Sequence, residues 1–280
     1  MQPLISVVIP TLNQAAFIEQ TLASIFGQNW PRLEVIVVDG GSTDGTREIV
    51  ERFPVTHFIS EKDRGQADAI NKGMRLAKGG ILAWLNSDDY YLPLTLQRIA
   101  AMLGDDPAPR LVYGGSIYVA PHENHARLFP APRFDRERLL VECCLTQPSV
   151  FWTRALWEKT GETNVDLHFV MDWEYWLRAS EHCAFEPLDT PLSVYLFHPA
   201  HKSGGRNPAR VREVLGIIER FAPPEWRAAY HDVSANLSSL VESWEAVKRG
   251  GRYGWHKLRH LGLYRRHGAK VDAAFWQLHV

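Results

Sequence analysis

Four short apolar runs, ISVVIP (Ile5 to Pro10), LEVIVV (Leu33 to Val38), HFIS (His57 to Ser60) and ILAWL (Ile81 to Leu85), each end in a polar cluster and are followed by helical spacing. The helical segments cover Ala15 to Phe26, Thr46 to Phe53, Gln66 to Ala77 and Leu94 to Leu103. Apolar strands that alternate with helices predict an α/β fold, a parallel sheet covered on both faces. Ligands of such sheets bind beyond the carboxyl ends of the strands. The polar clusters fall there: Thr11 and Asn13 after the first run, DGGSTDGT (Asp39 to Thr46) after the second, EKDRG (Glu61 to Gly65) after the third and NSDD (Asn86 to Asp89) after the fourth. The pattern therefore predicts one crevice built from four loops.

The rest of the chain is less regular. It reads as a strand over Leu111 to Tyr118, a loop rich in Pro, His and Arg, helices over Arg154 to Lys159 and Asp172 to Ser180, and a strand over Leu192 to Phe197. Beyond Pro208 it reads as helix, broken at Pro223, Pro224 and the Gly250-Gly251 pair. We expect an α/β domain over residues 1–205, divided near residue 110, and a helical region over 206–280. A compact chain of 280 residues buries roughly three quarters of its unfolded surface, so a large core is available. A net charge of −1 gives no global attraction to nucleic acid. Cys143, Cys144 and Cys183 form no CxxC pair and read as reduced thiols of a cytoplasmic protein. The start of the chain shows no signal-peptide pattern, and no run approaches the roughly 20 apolar residues of a membrane span. Residues 248–270 are basic and interleaved with Trp, Tyr and Leu. They suit a helix on the inner face of an anionic membrane, a solvated basic face, or a contact with a second subunit in a homodimer.

Four segments carry chemistry. In NSDD two adjacent carboxylates at a strand end make a site for a hard cation, and the same residues suit a helix cap. In VVDGGSTDGT, Asp39 can accept hydrogen bonds from a base or ribose, and Gly40, Gly41 and Gly45 allow close backbone approach. A plain turn capped by Ser42, Thr43 or Asp44 fits too. In MDWEYWLR a helix sets Asp172 beside Tyr175 and Trp176, which suits a base next to the apolar face of a sugar, or equally a dipole-stabilising carboxylate over an aromatic core. In LFHPAHKSGG, His198 can complete a metal sphere, with Lys202, Ser203 and two glycines binding phosphate on a closing loop; His201 adds little. PTLNQAAF lacks the glycine-rich phosphate loop of nucleotidyltransferases, GxGxxG and GxxxxGK[ST] are absent, and the corresponding enzyme classes fall away.

ISVVIPTLN, VVDGGSTDGT, SEKDRGQADAINKG, ILAWLNSDD, QPSVFW, MDWEYWLR and FHPAHKS occur in an order that resembles family 2 glycosyltransferases of the GT-A fold, over about Ile5 to Ser203. The resemblance implies an inverting transfer of a sugar from a UDP, GDP or dTDP donor to a saccharide or lipid-linked saccharide, in polysaccharide or glycoconjugate synthesis. It implies that Thr11, Asn13, Asp39, Asp68, Asn86 and Asp88 bind the nucleotide sugar. Asp89 and His198 would hold Mn2+ or Mg2+, Asp172 would be the base, and Trp173 and Gln147 would face the acceptor. Two positions depart from the family pattern: Met171 stands where Glu commonly precedes the base, and Asn86 or Ser87 replaces the first carboxylate of the DXD motif. The rival reading is a nucleotide-sugar or carbohydrate-binding protein without turnover. Acceptor choice is expected to lie in loops such as Pro121 to Arg138.

Overall fold

The apolar runs become the central strands of a mixed sheet. The computed structural model describes residues 2–199, 202, 207–249 and 253–279. The chain divides into two units, residues 1–134 with 145–199 and residues 135–144 with 200–280. The segment 135–144, expected in the α/β domain, thus belongs with the helical region.

In the first unit the order is β1 (Ile5–Thr11), α1 (Ile18–Phe26), β2 (Leu33–Asp39), α2 (Thr46–Val50), β3 (His57–Ser60), α3 (Gln66–Leu76), β4 (Ile81–Trp84), β5 (Tyr90–Tyr91) and α4 (Thr95–Leu103). It continues with β6 (Leu111–Ala120) and β7 (His125–Phe129), and, after α5 (Arg136–Leu139) of the second unit, with β8 (Val150–Thr153), α6 (Arg154–Thr160), α7 (Met171–Ala179) and β9 (Phe185–Leu196). The sheet order is β3-β2-β1-β4-β8-β6-β9-β5, with β7 paired to β6. Strands β3, β2, β1 and β4 are parallel, as the alternation predicts. Beyond β4 the sheet is mixed: β8 runs antiparallel to β4 and β6, while β9 is parallel to β6.

Helices cover the parallel half because its strands are apolar on both faces; Ile5, Val7, Val8 and Ile9 are each 0% exposed. Helix α3 packs so closely on β1 and β2 that a Cβ at Gly73 would stand 2.4 Å from Val8 Cγ1 and 3.3 Å from Val38 Cγ2. Val8 is stiff at χ1 and cannot swing aside. Gly73→Ala gains helix propensity yet overpacks this seam, and is expected to cost about 1 kcal/mol or more, read as a lower urea midpoint at unchanged m.

Helix α7 sits on an aromatic pile at the end of β4. The Trp84 and Trp176 rings stack at 5.2 Å and 8°, and Trp152 and Tyr175 meet Trp84 edge-on at 5.2 and 5.8 Å. Tyr175 and Trp176 are each 0% exposed, so this stripe is core and not sugar-facing surface. Each such pair adds about 0.5–1.5 kcal/mol beyond the area it buries.

The second unit comprises α5 with α8 (Pro208–Phe221), α9 (Pro224–Ala235), α10 (Leu237–Lys248), α11 (Tyr253–Arg259), α12 (Leu261–His267) and α13 (Lys270–His279). The break expected at Gly250-Gly251 lies outside the described residues. Basic side chains of the segment 248–270 are met inside the unit: Lys248 by Glu245, Lys257 by Asp272, Arg259 by Glu242 and Arg266 by Asp232. No helix among the described residues is long and apolar enough to cross a membrane.

Candidate active site

The loops beyond β1, β2, β3 and β4 are tied one to the next. Asn13, left-handed at φ 52°, donates its amide N–H to Ser42 Oγ at 2.7 Å and accepts from the Thr43 amide at 2.9 Å. Asp44 reinforces this clip by accepting from the Ala15 amide at 3.0 Å. Between the second and third loops, Glu61 N–H donates to the Asp39 carbonyl at 3.0 Å. The Asp63 carboxylate fills the space a Cβ on Gly40 would take, 2.8 Å away, so Gly40 admits a neighbouring loop where the sequence suggested a ligand. Gln66, at the start of α3, donates to Asn86 Oδ1 at 2.7 Å and joins the third loop to the fourth.

Asp39 lies beneath this surface at 0% exposure, accepting from the amide and hydroxyl of Ser42 and from Ser60 Oγ at 2.6 Å. A buried carboxylate must be so satisfied. Asp39 therefore shapes the turn from inside, and Thr11, 5% exposed, supports it by accepting from the Gly40 amide. Asn13 is the exposed member of this group. Asp68, near the start of α3, is held below the usual carboxylate range: partial burial opposes ionisation, and the Arg64 amide with the Lys72 and Arg64 charges overcomes it.

The fourth loop separates its two carboxylates. Asp89 is 0% exposed; its Oδ1 accepts from the Leu196 amide at 3.0 Å, and its main-chain carbonyl accepts from the Thr21 hydroxyl at 2.7 Å. Burial, and after it the Asp88 charge, push the Asp89 carboxyl well above its ordinary range. Asp88 instead turns to the crevice, with Oδ2 3.1 Å from His198 Nε2 and side-chain exposures of 15% and 10% for Asp and His. Of the two residues expected to hold the metal, Asp89 anchors β9 through the Leu196 amide, and His198 lies beside Asp88 rather than Asp89. The His198 ring stacks on Phe17 at 4.3 Å and 24°. Phe17 and Gln66 escaped the sequence reading, since an apolar residue before α1 and an amide at the start of α3 carry no motif.

Asp172 lies in the first turn of α7, half-buried, its Oδ1 accepting from the Trp173 amide at 2.8 Å. Trp176, one turn further, stacks on Trp84 at the end of the strand that leads into Asn86. The approach to α7 also touches the third loop: a Cβ on Gly65 would meet the His168 ring at 3.3 Å. Trp173 and Gln147, expected to face the acceptor, are interior at 1% and 7% exposure, and Gln147 Nε2 donates to the Trp84 carbonyl at 2.8 Å. Neither offers a surface as it stands. His201, Ser203, Gly204 and Gly205 of the expected closing loop lie outside the described residues; Lys202 is exposed.

Residues 6–156 match Glycosyl transferase family 2. The chain belongs to that family. This glycosyltransferase is 34% identical over 184 residues to a PGL/p-HBAD biosynthesis glycosyltransferase of Mycobacterium bovis, covering 63% of this chain and 69% of the relative. Its fold is that of the mannosyltransferase PcManGT from Pyrobaculum calidifontis, solved in complex with GDP-Man and Mn2+, at TM-score 0.62 and 21% identity over 99% of this chain and 87% of that one. S. aureus TarS 1-349, solved with UDP-GlcNAc, aligns at TM-score 0.58 and 20% identity over 81% of this chain and 70% of that one. Mixed sheet, flanking helices and C-terminal helices make this a GT-A glycosyltransferase.

Proposed function

We propose that this glycosyltransferase moves a sugar from a nucleoside diphosphate donor to an acceptor hydroxyl with inversion, in glycoconjugate synthesis, and that Asp88 and His198 hold a divalent cation at the donor diphosphate. The observation that carries this reading is the Asp88–His198 pair, 3.1 Å apart, which joins the loop beyond β4 to the stretch after β9, with Phe17 from beyond β1 stacked on the imidazole. The carboxylate suits either Mn2+ or Mg2+, and the imidazole beside it favours the softer Mn2+, with substrate phosphates and water filling the remaining positions. Such a cation, when bound, neutralises charge growing on the leaving diphosphate, a contribution of several kcal/mol.

The chain's own groups have separable tasks. Asn13, with the Ser42 and Thr43 loop it clips, forms the wall for the nucleoside, and Asp39 keeps that wall in shape from below. Asp68 and Asn86 border the sugar-diphosphate side. Asp172 takes the proton from the acceptor hydroxyl, whose oxygen attacks the anomeric carbon from the face opposite the phosphate, and the bond to the diphosphate breaks as the new one forms. The aromatic pile under α7 fixes the turn that follows Asp172, which limits the motion of the proposed base. Mn-dependent hydrolysis measured across UDP-, GDP- and dTDP-sugars is expected to single out one nucleotide and to stop on adding EDTA. Hydrolysis of none, with metal present, would defeat the proposal.

A further inference from the structure

The chain reaches α7 along α3. Ala67, Asn71 and Arg75 stand about one turn apart on α3 and share a face, and that face fastens the stretch after α6. Arg75 forks onto Glu162, Nε to Oε1 and Nη2 to Oε2 at 2.6 Å each. Asn71, 0% exposed, closes on Thr163 in both senses: its Nδ2 donates to the Thr163 carbonyl at 2.8 Å, and its Oδ1 accepts from the Thr163 amide at 2.9 Å and hydroxyl at 2.7 Å. The same hydroxyl reaches the Ala67 carbonyl at 3.1 Å. Further on, the His168 ring lies where a Cβ on Gly65, the residue before α3, would meet it at 3.3 Å. The stretch therefore runs down α3 from its last turn to its start, and Asp172 follows four residues after His168.

Helix α7 grips the same stretch. The Arg178 guanidinium donates to the Thr160 carbonyl and, at 2.8 Å, to the Glu162 carbonyl, and is itself held at 2.9 Å by the buried Glu174 one turn back. The carbonyls of Thr160, Glu162 and Thr163 thus find partners in side chains of two helices, which keeps an irregular segment in one place. An amide side chain that both donates to and accepts from one residue's main chain fixes it in distance and in direction. Among the α3 fastenings Asn71 is the buried one. The Arg75–Glu162 pair, with side chains 56% and 43% exposed, contributes less, because water competes for it.

We propose that Asn71 is a positioning residue for glycosyl transfer: closed on Thr163, it lays the run-up to α7 along α3 and so sets where Asp172 stands relative to Gln66 and Asp68 at the α3 start. Asn71 touches no substrate and acts through Asp172. The proposal rests on reading Asp172 as the base. A shift of about 1 Å far from the chemistry can cost about a hundredfold in rate.

The test uses the full chain with Mn2+ and a panel of UDP-, GDP- and dTDP-sugars, water standing in for the acceptor hydroxyl. Asn71→Ala is expected to lower kcat of hydrolysis by about tenfold or more, while calorimetric affinity for the same nucleotide sugar stays within about twofold. Thr163→Val keeps the side-chain shape without the hydroxyl and should lower kcat in the same direction. Thr163→Ser keeps the hydroxyl and should stay within about twofold of wild type, as should Arg75→Gln. Hydrogen exchange should show residues 164–174 of Asn71→Ala exchanging about tenfold faster or more, with β1 to β4 unchanged. A purely structural role predicts otherwise: a lower urea midpoint with kcat per folded molecule unchanged. That result, unchanged exchange over 164–174, or a donor affinity that falls in step with kcat would each overturn the proposal. If Asn71→Ala does not fold, Thr163→Val against Thr163→Ser decides, and equal kcat in the two would overturn it. A wild type that hydrolyses no nucleotide sugar, or full hydrolysis by Asp172→Asn, ends the donor or base reading and this proposal with it. Unchanged kcat in Asn71→Ala beside a large loss in Asp172→Asn ends this proposal alone.

Discussion

Asp172→Asn is expected to lower glycosyl transfer by about a hundred- to ten-thousand-fold while donor affinity stays within about twofold. The substitution is nearly isosteric, and the Asn oxygen can still accept from the Trp173 amide that now donates to Asp172 Oδ1. The start of α7 therefore keeps its geometry. What is lost is the ability to take a proton from the acceptor hydroxyl. Transfer kinetics beside calorimetric titration with the donor separate the cases: full transfer would remove Asp172 as the base, and a parallel loss of donor binding would move it to the donor side.

The second large effect is expected from Asp88→Asn, which should weaken Mn-dependent donor binding by about a hundredfold or more. Altering mere supporting groups around a metal already costs about ten- to a hundredfold, and Asp88 is proposed as a direct ligand. Asp89→Asn should behave differently. Its side-chain oxygen can go on accepting from the Leu196 amide, so the anchor of β9 is expected to hold. Calorimetry of both variants with and without Mn2+ decides between neighbours in the chain. A metal dependence lost in Asp89→Asn and kept in Asp88→Asn would reverse the assignment.

That pair also shows where reading the sequence stops. The parallel half was legible because each of its strands is apolar on both faces and each loop beyond it carries small and acidic residues, a pattern that survives without coordinates. Which of two adjacent carboxylates turns outward depends on the bend after β4 and on the Thr21 hydroxyl that fixes it, 68 residues away in sequence. The antiparallel half was less legible. Strand β7 is exposed along its whole length, so no apolar alternation marks it, and β8 is four residues long. The MDWEYWLR helix was placed correctly, yet the rings of Tyr175 and Trp176 went inward because β4 offered Trp84 as a stacking partner, a contact 92 residues distant for Trp176 that no local period reveals. Gln147 was drawn inward by its bond to the Trp84 carbonyl, a partner 63 residues away in sequence.

The stacking of Trp84 on Trp176 has a mechanical corollary. Strand β4, which runs on into Asn86, and helix α7, which carries Asp172 in its first turn, are bolted together through their own side chains, so the two elements are expected to shift as one piece. A substitution at either ring should therefore be felt at both ends of that joint at once, in the loop after Trp84 and in the turn that opens α7.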